Sequence, residues 1–435
     1  MSRSGTARRV AVLAGAVTAT ALFLAYVPAH RGWFDVGVYH GAVSSWLRDG
    51  GALYDYVRPG THYGFTYPPF AALVLSPLAL LAWHPAVAAS VLVNAGAAAL
   101  VLHWLLAPVA RRAGWRRWYA FGLAGCAFAV LEPVRDTVSF GQVNLVLLAL
   151  VLADWRALGR VSKPLAGVGI GLAAAIKLTP AVFIGYLLVS RQWRAAAAAT
   201  GTALGATLLA MAVAPGTSRV FWTEALWDTG RVGDLAYVSN QSLRGVLARI
   251  GPDLPATLWL VAVLAVLALW AGRVRRATAV GDRFGGFALT GVLGCLISPV
   301  TWVHHLVWLI PALARLADAA RCAEPRGRRR ALLAAAGASY LILCSSLVWL
   351  WWNGAHGIVG FLGANAYVWL ALALLAGLPL GDRAGRALGD RTGRALGDRT
   401  GLPRGGLAGA QAGQVQQGQP VAVHAQPADH PGRHG

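Results

Sequence analysis

AVAASVLVNAGAAALVLHWLLA, residues 86–107, is an apolar run that ends at the basic linker Arg111-Arg112-Ala113-Gly114-Trp115-Arg116-Arg117. A helix of about 20 such residues crosses a hydrocarbon layer about 30 Å thick. Arginines directly behind a span mark the cytoplasmic side. Runs of about 15 to 22 apolar residues, near that crossing length, recur from Val10 to Leu378. The chain is 57% hydrophobic and 13% charged, with mean hydropathy +0.55, whereas soluble domains carry about 25% charged residues. These features predict an all-α polytopic membrane protein. No separate soluble domain of ordinary size fits between the spans.

The net charge is +21. The arginines cluster in short linkers between apolar runs and in the tail, which fits contact with anionic headgroups and not a groove for nucleic acid. Of the four cysteines, Cys126, Cys295 and Cys344 fall in apolar runs and Cys322 in a basic linker, so no structural disulfide is expected. The first apolar run follows Arg8-Arg9 without a convincing cleavage site and reads as a retained span.

The charge rule orders the rest. Arg3, Arg8 and Arg9 hold the N-terminus inside, and a helix over 10–28 exits to a long outer loop, 29–66. Residues 67–83 are apolar but proline-rich. If they crossed as well as 86–107, the basic linker would lie outside, so they read as re-entrant or surface-lying. Helices 117–131 and 141–155 leave Glu132 to Gly141 outside and Asp154 to Lys163 inside. A hairpin of short pieces, 164–176 and 179–190, is broken at Lys177-Leu178-Thr179-Pro180. Next come 195–214, an outer loop 215–253, and 254–272 to Arg273-Val274-Arg275-Arg276. Helices 283–297, 302–317, 331–351 and 357–378 finish inside. The expectation is about 12 spans. Residues 1–380 form the membrane domain. From 381 an Asp-Arg-Ala-Gly octad repeats and decays into a Gly/Gln/Pro/His-rich end, a disordered cytoplasmic tail.

Polar residues collect on the outer face: Asp35, Tyr39, His40, Asp49, Asp55, Arg58, Glu132, Arg135, Asp136, Gln142, Asn144, Asn240, Gln241, Arg244, His304 and His305. Ionisable groups at membrane depth default to a functional hypothesis, although outer loops are also simply wet. Asp35 stands out because Trp33, Phe34 and Tyr39 would partly dry it, raising its pKa towards the range of a general base. It could equally cap a short amphipathic helix over Val36–Arg48. Lys177 interrupts small apolar residues. It would face a cavity and an anion such as phosphate, or snorkel to the interface. His304 and His305 are adjacent and point in different directions, so joint metal chelation is not expected. An imidazole donating to phosphate or sugar oxygen competes with an interfacial core histidine. No spaced Cys/His set, GxGxxG or P-loop appears in a suitable context, so a nucleotide-sugar donor bound by a Rossmann domain is not indicated, and no metal or other cofactor is expected.

An ordered set of motifs carries a resemblance. It comprises Phe34-Asp35-Val36-Gly37-Val38-Tyr39, Tyr67-Pro68-Pro69-Phe70, Gly141-Gln142-Val143-Asn144, Lys177-Leu178-Thr179-Pro180, Asn240-Gln241-Ser242, and Ser298-Pro299 through His304-His305. Over about residues 10–375 the chain resembles the bacterial polyprenol-phosphate-mannose-dependent α-(1→2)-mannosyltransferases, membrane glycosyltransferases of the GT-C type. Related arabinofuranosyltransferases share much of the pattern. The resemblance implies a GT-C bundle, an active site at the extracytoplasmic face under the first loop, and Asp35 as catalytic base. It implies a polyprenyl-phosphate sugar donor and a glycolipid or lipoglycan acceptor. Lys177, His304 and His305 would handle phosphate or acceptor, with Arg244, Gln142, Asn144, Asn240, Gln241 and Tyr39 as further substrate-binding candidates.

The chemistry expected is a single inverting displacement. Asp35 takes the proton of an acceptor hydroxyl, whose oxygen attacks the anomeric carbon opposite the phosphate. A β-mannosyl phosphate then gives an α linkage. One base suffices because phosphate already leaves well, whereas retention would need a nucleophile too. A lipid-linked sugar flippase would share the helices and the buried lysine. It would string polar groups along a mid-membrane path with internal pseudo-symmetry, and the sequence shows no such repeat.

Overall fold

The computed structural model describes residues 3–159, 165–251 and 253–381, and these are helical apart from turns and one isolated antiparallel bridge, Val57 to Gly64. The expected tail beyond 381 and Lys163 lie outside the described residues.

The first span is α1, Arg3–Tyr26, and the outer segment then folds into α2, Phe34–Arg48. The proline-rich run becomes α3, Pro69–Leu75, and a tight turn of helix, Ser76–Leu80, of seven and five residues. At 1.5 Å per residue the pair falls short of about 30 Å of hydrocarbon, in keeping with a segment that does not cross alone. The 86–107 run lies within α4, Trp83–Arg112, followed by α5, Arg117–Val130. Then come α6, Glu132–Phe140, and α7, Asn144–Leu158, meeting at a bend of 117°.

The hairpin is α8, Val168–Ile176, and α9, Val182–Val189, with an extended residue, Lys177, and the short turn Thr179–Ala181 between them. Pro180 has no N–H to continue a helix, which accounts for the break. The chain continues through α10, Trp193–Val213, α11, Pro215–Val220, α12, Leu243–Ile250, and α13, Ala256–Ala279. Next are α14, Arg283–Ile297, a tight helical segment Val303–Leu309, and α15, Ile310–Cys322. Last are α16, Arg326–Cys344, and α17, Gly357–Ala364, bent by 63° into α18, Ala366–Gly377.

By length and composition, four of the described helices can cross a bilayer: α1, α4, α10 and α13. The number rises to six if the bent pairs α6–α7 and α17–α18 each count as one span. The protein is thus an all-helical membrane protein. The other apolar pieces are short, and the bundle is organised around one of them. Every residue of α14 from Phe284 to Leu296 is buried, with α9, α13, α15 and α18 packed around it. A helix apolar on all sides belongs at a centre. Its N-terminus is capped by Asp282, whose Oδ1 accepts from the Gly285 N–H at 2.8 Å. Asp282 Oδ2 accepts from Arg315 at 2.9 and 3.1 Å, and both side chains are fully buried.

Two sequence expectations need correction. Glu132 to Gly141, expected as an outer loop, is the helix α6, and Glu132, Arg135 and Asp136 are buried in it. Its polar side chains turn inward because they meet partners from distant parts of the chain. Asp35 does not cap α2: Trp33, in a left-handed conformation, occupies that position, and Asp35 lies in the first turn.

Candidate active site

The outer segment builds a wall before it builds a site. Gly41 on α2 admits the Tyr56 ring, whose hydroxyl would lie 1.9 Å from a Cβ there. Arg58 lies over the Phe34 ring at 4.5 Å and donates to the Phe34 carbonyl. Phe65, Leu53 and Tyr54 are buried beneath, and the Tyr54 hydroxyl donates to the Tyr67 carbonyl at 2.8 Å. The segment 49–66 is thereby folded back on α2 and fixes its first turn. At the opposite side Gly141, with φ +75°, lets the α6–α7 corner close against Val36, whose Cγ2 would lie 1.9 Å from a Cβ at that position.

These elements enclose a cavity of about 410 Å³, in the range of small-molecule sites. Asp35, Tyr39, Gln142, Lys177, His304 and His305 line it. A chain of hydrogen bonds links them. The Tyr39 hydroxyl donates to that of Tyr67 at 2.9 Å, and Tyr67 donates to Gln142 Oε1 at 2.6 Å. Because that oxygen is occupied, the Gln142 amide NH2 is the group that hydrogen-bonds Asp35. Lys177 Nζ lies 3.1 Å from the Tyr67 hydroxyl, 3.2 Å from Asn144 Oδ1 and 2.8 Å from His305 Nε2.

Asp35 Oδ2 is buried and has no hydrogen-bond partner among the described residues. Burial pushes the carboxyl up to about 6, opposed by the Gln142 hydrogen bond and by the charges of Lys177 and Arg58. A carboxylate with one oxygen held and one free, with a pKa just below neutrality and so ionised for the most part at pH 7, can take a proton from a hydroxyl. Burial also pushes the Tyr39 and Tyr67 phenols up, so both remain neutral donors.

The histidines are set by the α6–α7 corner. Thr137 Oγ1 at 3.1 Å and Asn144 Nδ2 at 3.2 Å both donate to the His304 carbonyl. His304 Nε2 is buried without a partner, while His305 Nδ1 lies 3.1 Å from the Trp302 N–H. Among the described residues no group of three His, Cys, Asp or Glu side chains converges to hold a metal ion.

The remaining candidates lie elsewhere. Asn144 is one layer behind the wall, holding Lys177 and His304. Asn240 braces backbone, donating to the Leu235 and Pro299 carbonyls and accepting from the Thr301 N–H. Gln241 donates to the Val238 and Ala364 carbonyls. Arg244 lines a separate cavity of about 320 Å³ with Asp234 and Gly251. The motif Asn240-Gln241-Ser242 shapes the fold beside the site and does not enter it. Sequence reasoning did not single out Arg31, Tyr67 or Trp349 as site residues, yet all three line the cavity. Tyr67 opens the motif Tyr67-Pro68-Pro69-Phe70. Arg31 and Trp349 gave no local signal, since what brings them in is α6.

The model of glycosyltransferase family 87 matches residues 65–299. Over 380 residues the chain is 33% identical to the polyprenol-phosphate-mannose-dependent alpha-(1-2)-phosphatidylinositol mannoside mannosyltransferase of Mycobacterium tuberculosis, covering 80% of this chain and 85% of the relative. It is 36% identical over 305 residues to the corresponding phosphatidylinositol pentamannoside mannosyltransferase of Mycolicibacterium smegmatis, covering 66% and 70%. An alpha-(1->3)-arabinofuranosyltransferase of Corynebacterium glutamicum is 28% identical over 274 residues, covering 61% and 62%. No solved structure matches the chain.

Proposed function

The chain belongs to glycosyltransferase family 87, and from that premise we propose that it transfers a mannosyl residue from polyprenyl-phosphate mannose to a lipid-anchored glycan, with inversion and with Asp35 as general base. The names of the relatives support the donor and the class of acceptor, a phosphatidylinositol mannoside. The observation that carries the mechanism is Asp35 itself. Its buried Oδ2 belongs to a cavity also lined by Lys177, His304, His305 and the neutral phenols of Tyr39 and Tyr67, together with Arg31, Arg231 and Asp228.

In this reading the acceptor hydroxyl gives its proton to Asp35 Oδ2 as its oxygen bonds to the anomeric carbon. The bond from that carbon to the phosphate oxygen breaks on the far side, and polyprenyl phosphate departs. Cationic and imidazole groups in the cavity stabilise the charge that grows on the phosphate. The lipid of the donor lies between helices. The cavity opens to the extracytoplasmic face, both chain ends are cytoplasmic, and the fold is a GT-C bundle of about 12 crossing or half-crossing segments.

The test uses the purified full chain in lipid nanodiscs, with labelled polyprenyl-phosphate mannose and a phosphatidylinositol mannoside. An α-linked mannose on the acceptor is the expected product. Transfer from polyprenyl-phosphate arabinose with none from the mannose donor would move the assignment to the arabinofuranosyl branch. Donor crossing the bilayer of sealed proteoliposomes, without transfer, would replace the enzyme by a flippase. Sidedness is read separately, by labelling a single cysteine substituted at Asp55 from outside intact cells.

A further inference from the structure

An ammonium group has three N–H donors. Lys177 Nζ has three polar neighbours within hydrogen-bond distance: the Tyr67 hydroxyl and Asn144 Oδ1, which accept from it, and His305 Nε2 at 2.8 Å. Its charge acts on Asp35; two of its N–H groups are held by acceptors and His305 Nε2 stands in the third direction, which leaves no open approach for a phosphate oxygen. The arginines of the wall are the other candidates. Arg231 is turned towards the Tyr54 carbonyl. Arg31 is placed differently.

Arg31 uses Nε and one terminal nitrogen on the two oxygens of Asp136, at 3.2 and 3.3 Å. Its guanidinium lies over the Trp349 ring at 4.6 Å. Trp349 is itself fixed, because its Nε1 donates to Glu132 at 2.5 Å. Glu132 is buried and also accepts from the Tyr367 hydroxyl. Glu132 and Asp136 are four residues apart on α6 and so share a face. One carboxylate holds the indole, the other holds the guanidinium that stacks on it. The second terminal nitrogen of Arg31 carries no hydrogen bond among the described residues, and the side chain lines the cavity. His304 is more than nine-tenths buried, its Nε2 lacks a partner, and it lines the same cavity. Phe140 touches both, with the Arg31 guanidinium 5.6 Å and the His304 ring 5.2 Å from its centroid.

We propose that Arg31 and His304 form the subsite for the phosphate of the lipid-linked donor. Glu132, Asp136 and Trp349 are positioning residues for Arg31, and Lys177 positions and polarises the Asp35 network without bonding the phosphate. The assignment rests on the mannosyltransferase reading for the identity of the donor. The free guanidinium nitrogen and the Nε2–H of a neutral His304 each supply one donor to the phosphate. As the glycosyl bond breaks, the phosphate gains charge, and the arginine strengthens its hold on it.

The experiment uses the full chain in nanodiscs and reads three quantities: KM for polyprenyl-phosphate mannose, KM for the acceptor, and inhibition by polyprenyl monophosphate, the leaving group. Arg31→Gln should raise the donor KM and the inhibition constant about tenfold to a hundredfold, the span of one charge-assisted hydrogen bond, with acceptor KM within about twofold. Lys177→Gln should lower kcat and move the acid limb of the pH profile, with the inhibition constant little changed. Unchanged inhibition in Arg31→Gln, or a larger loss in Lys177→Gln than in Arg31→Gln, overturns the subsite. Should Arg31→Gln fail to fold, Arg31→Lys carries the test. It keeps a cation beside Asp136 but lacks the fork, so wild-type inhibition in that variant also overturns the subsite. Wild-type protein that binds polyprenyl monophosphate in an Arg31-dependent way yet transfers no mannose leaves the subsite standing and removes the proposed function.

Discussion

The Tyr67 hydroxyl donates to Gln142 Oε1 at 2.6 Å, and this bond decides which end of the Gln142 amide reaches Asp35. The carboxylate therefore receives an N–H on one side and keeps Oδ2 free on the other. A base so placed has its orientation set by a glutamine and its orientation partner set by a tyrosine. Replacing any member should alter rate before it alters fold.

Asp35→Asn keeps the shape of the side chain and removes the proton acceptor. Mannosyl transfer should fall by about 10²–10⁴-fold, with an unaltered elution profile in detergent. Near-wild-type turnover in the purified variant would remove Asp35 from the mechanism.

The pH profile follows from the raised carboxyl. Asp35 must be ionised to act, so kcat/KM should rise with pH through about 6 and level above it. Gln142→Leu deletes a hydrogen bond that favours the carboxylate, and its acid limb should lie at higher pH than that of the wild type. The same shift has a stability sign. A carboxyl with its folded pKa raised weakens the folded state progressively as pH climbs from its unfolded value to its folded one, and in full above that. Asp35→Asn should thus melt higher than the wild type at pH 7 and equal to it below about pH 3.8, the ordinary aspartate value. A limb that stays put in Gln142→Leu would break the link between these two residues.

Gly141→Ala tests the fit between the α6–α7 corner and α2. Alanine at positive φ costs about 1–2 kcal/mol, and its Cβ would collide with Val36, one residue from the base. A displacement of about 1 Å at a reacting group can cost about a hundredfold in rate. Transfer should drop by that order, and Val36→Ala added to Gly141→Ala should recover part of it. Failure of the second change to restore any rate would argue that backbone strain alone is at work.

Arg315→Met leaves Asp282 charged and enclosed at the head of α14. Losing one partner of a buried pair costs about 3–5 kcal/mol, which should show as a large fall in the temperature of half-inactivation in detergent. Adding Asp282→Ser retains a side-chain acceptor for the Gly285 N–H and removes the stranded charge. The double variant should be more stable than Arg315→Met. An equal or lower value would mean that the pair is not what holds this end of the bundle.

Legibility in the sequence tracked whether the cause was local. The bounds 283–297 coincide with α14 because an apolar run there begins at a capping aspartate and ends at Ser298-Pro299. The break after Ile176 was visible in Lys177 and Pro180. Asp35 was singled out by its aromatic neighbours, although its partners Gln142 and Lys177 lie far along the chain. Residues 132–141 misled for the opposite reason. Their two acids and one arginine read as outer-face polar groups, yet Asp136 meets Arg31 and Glu132 meets Tyr367, contacts spanning 105 and 235 residues. Periodicity carries no record of such pairs. Asn240 and Gln241 misled in a related way, since amides that brace carbonyls look like amides that grip sugars.

None of the side chains from Gly5 to Tyr26 is buried, and α1 packs against α5 alone among the other helices in any extended contact. Few residues separate its end from Arg31 and from Trp33, whose N–H donates to the Ser139 carbonyl at 3.0 Å. A helix so loosely held adjusts its tilt to bilayer thickness at little expense. Arg31 lies only five residues beyond Tyr26, the last residue of α1, so a change in the tilt of α1 would reach the chain close to the guanidinium that lines the cavity.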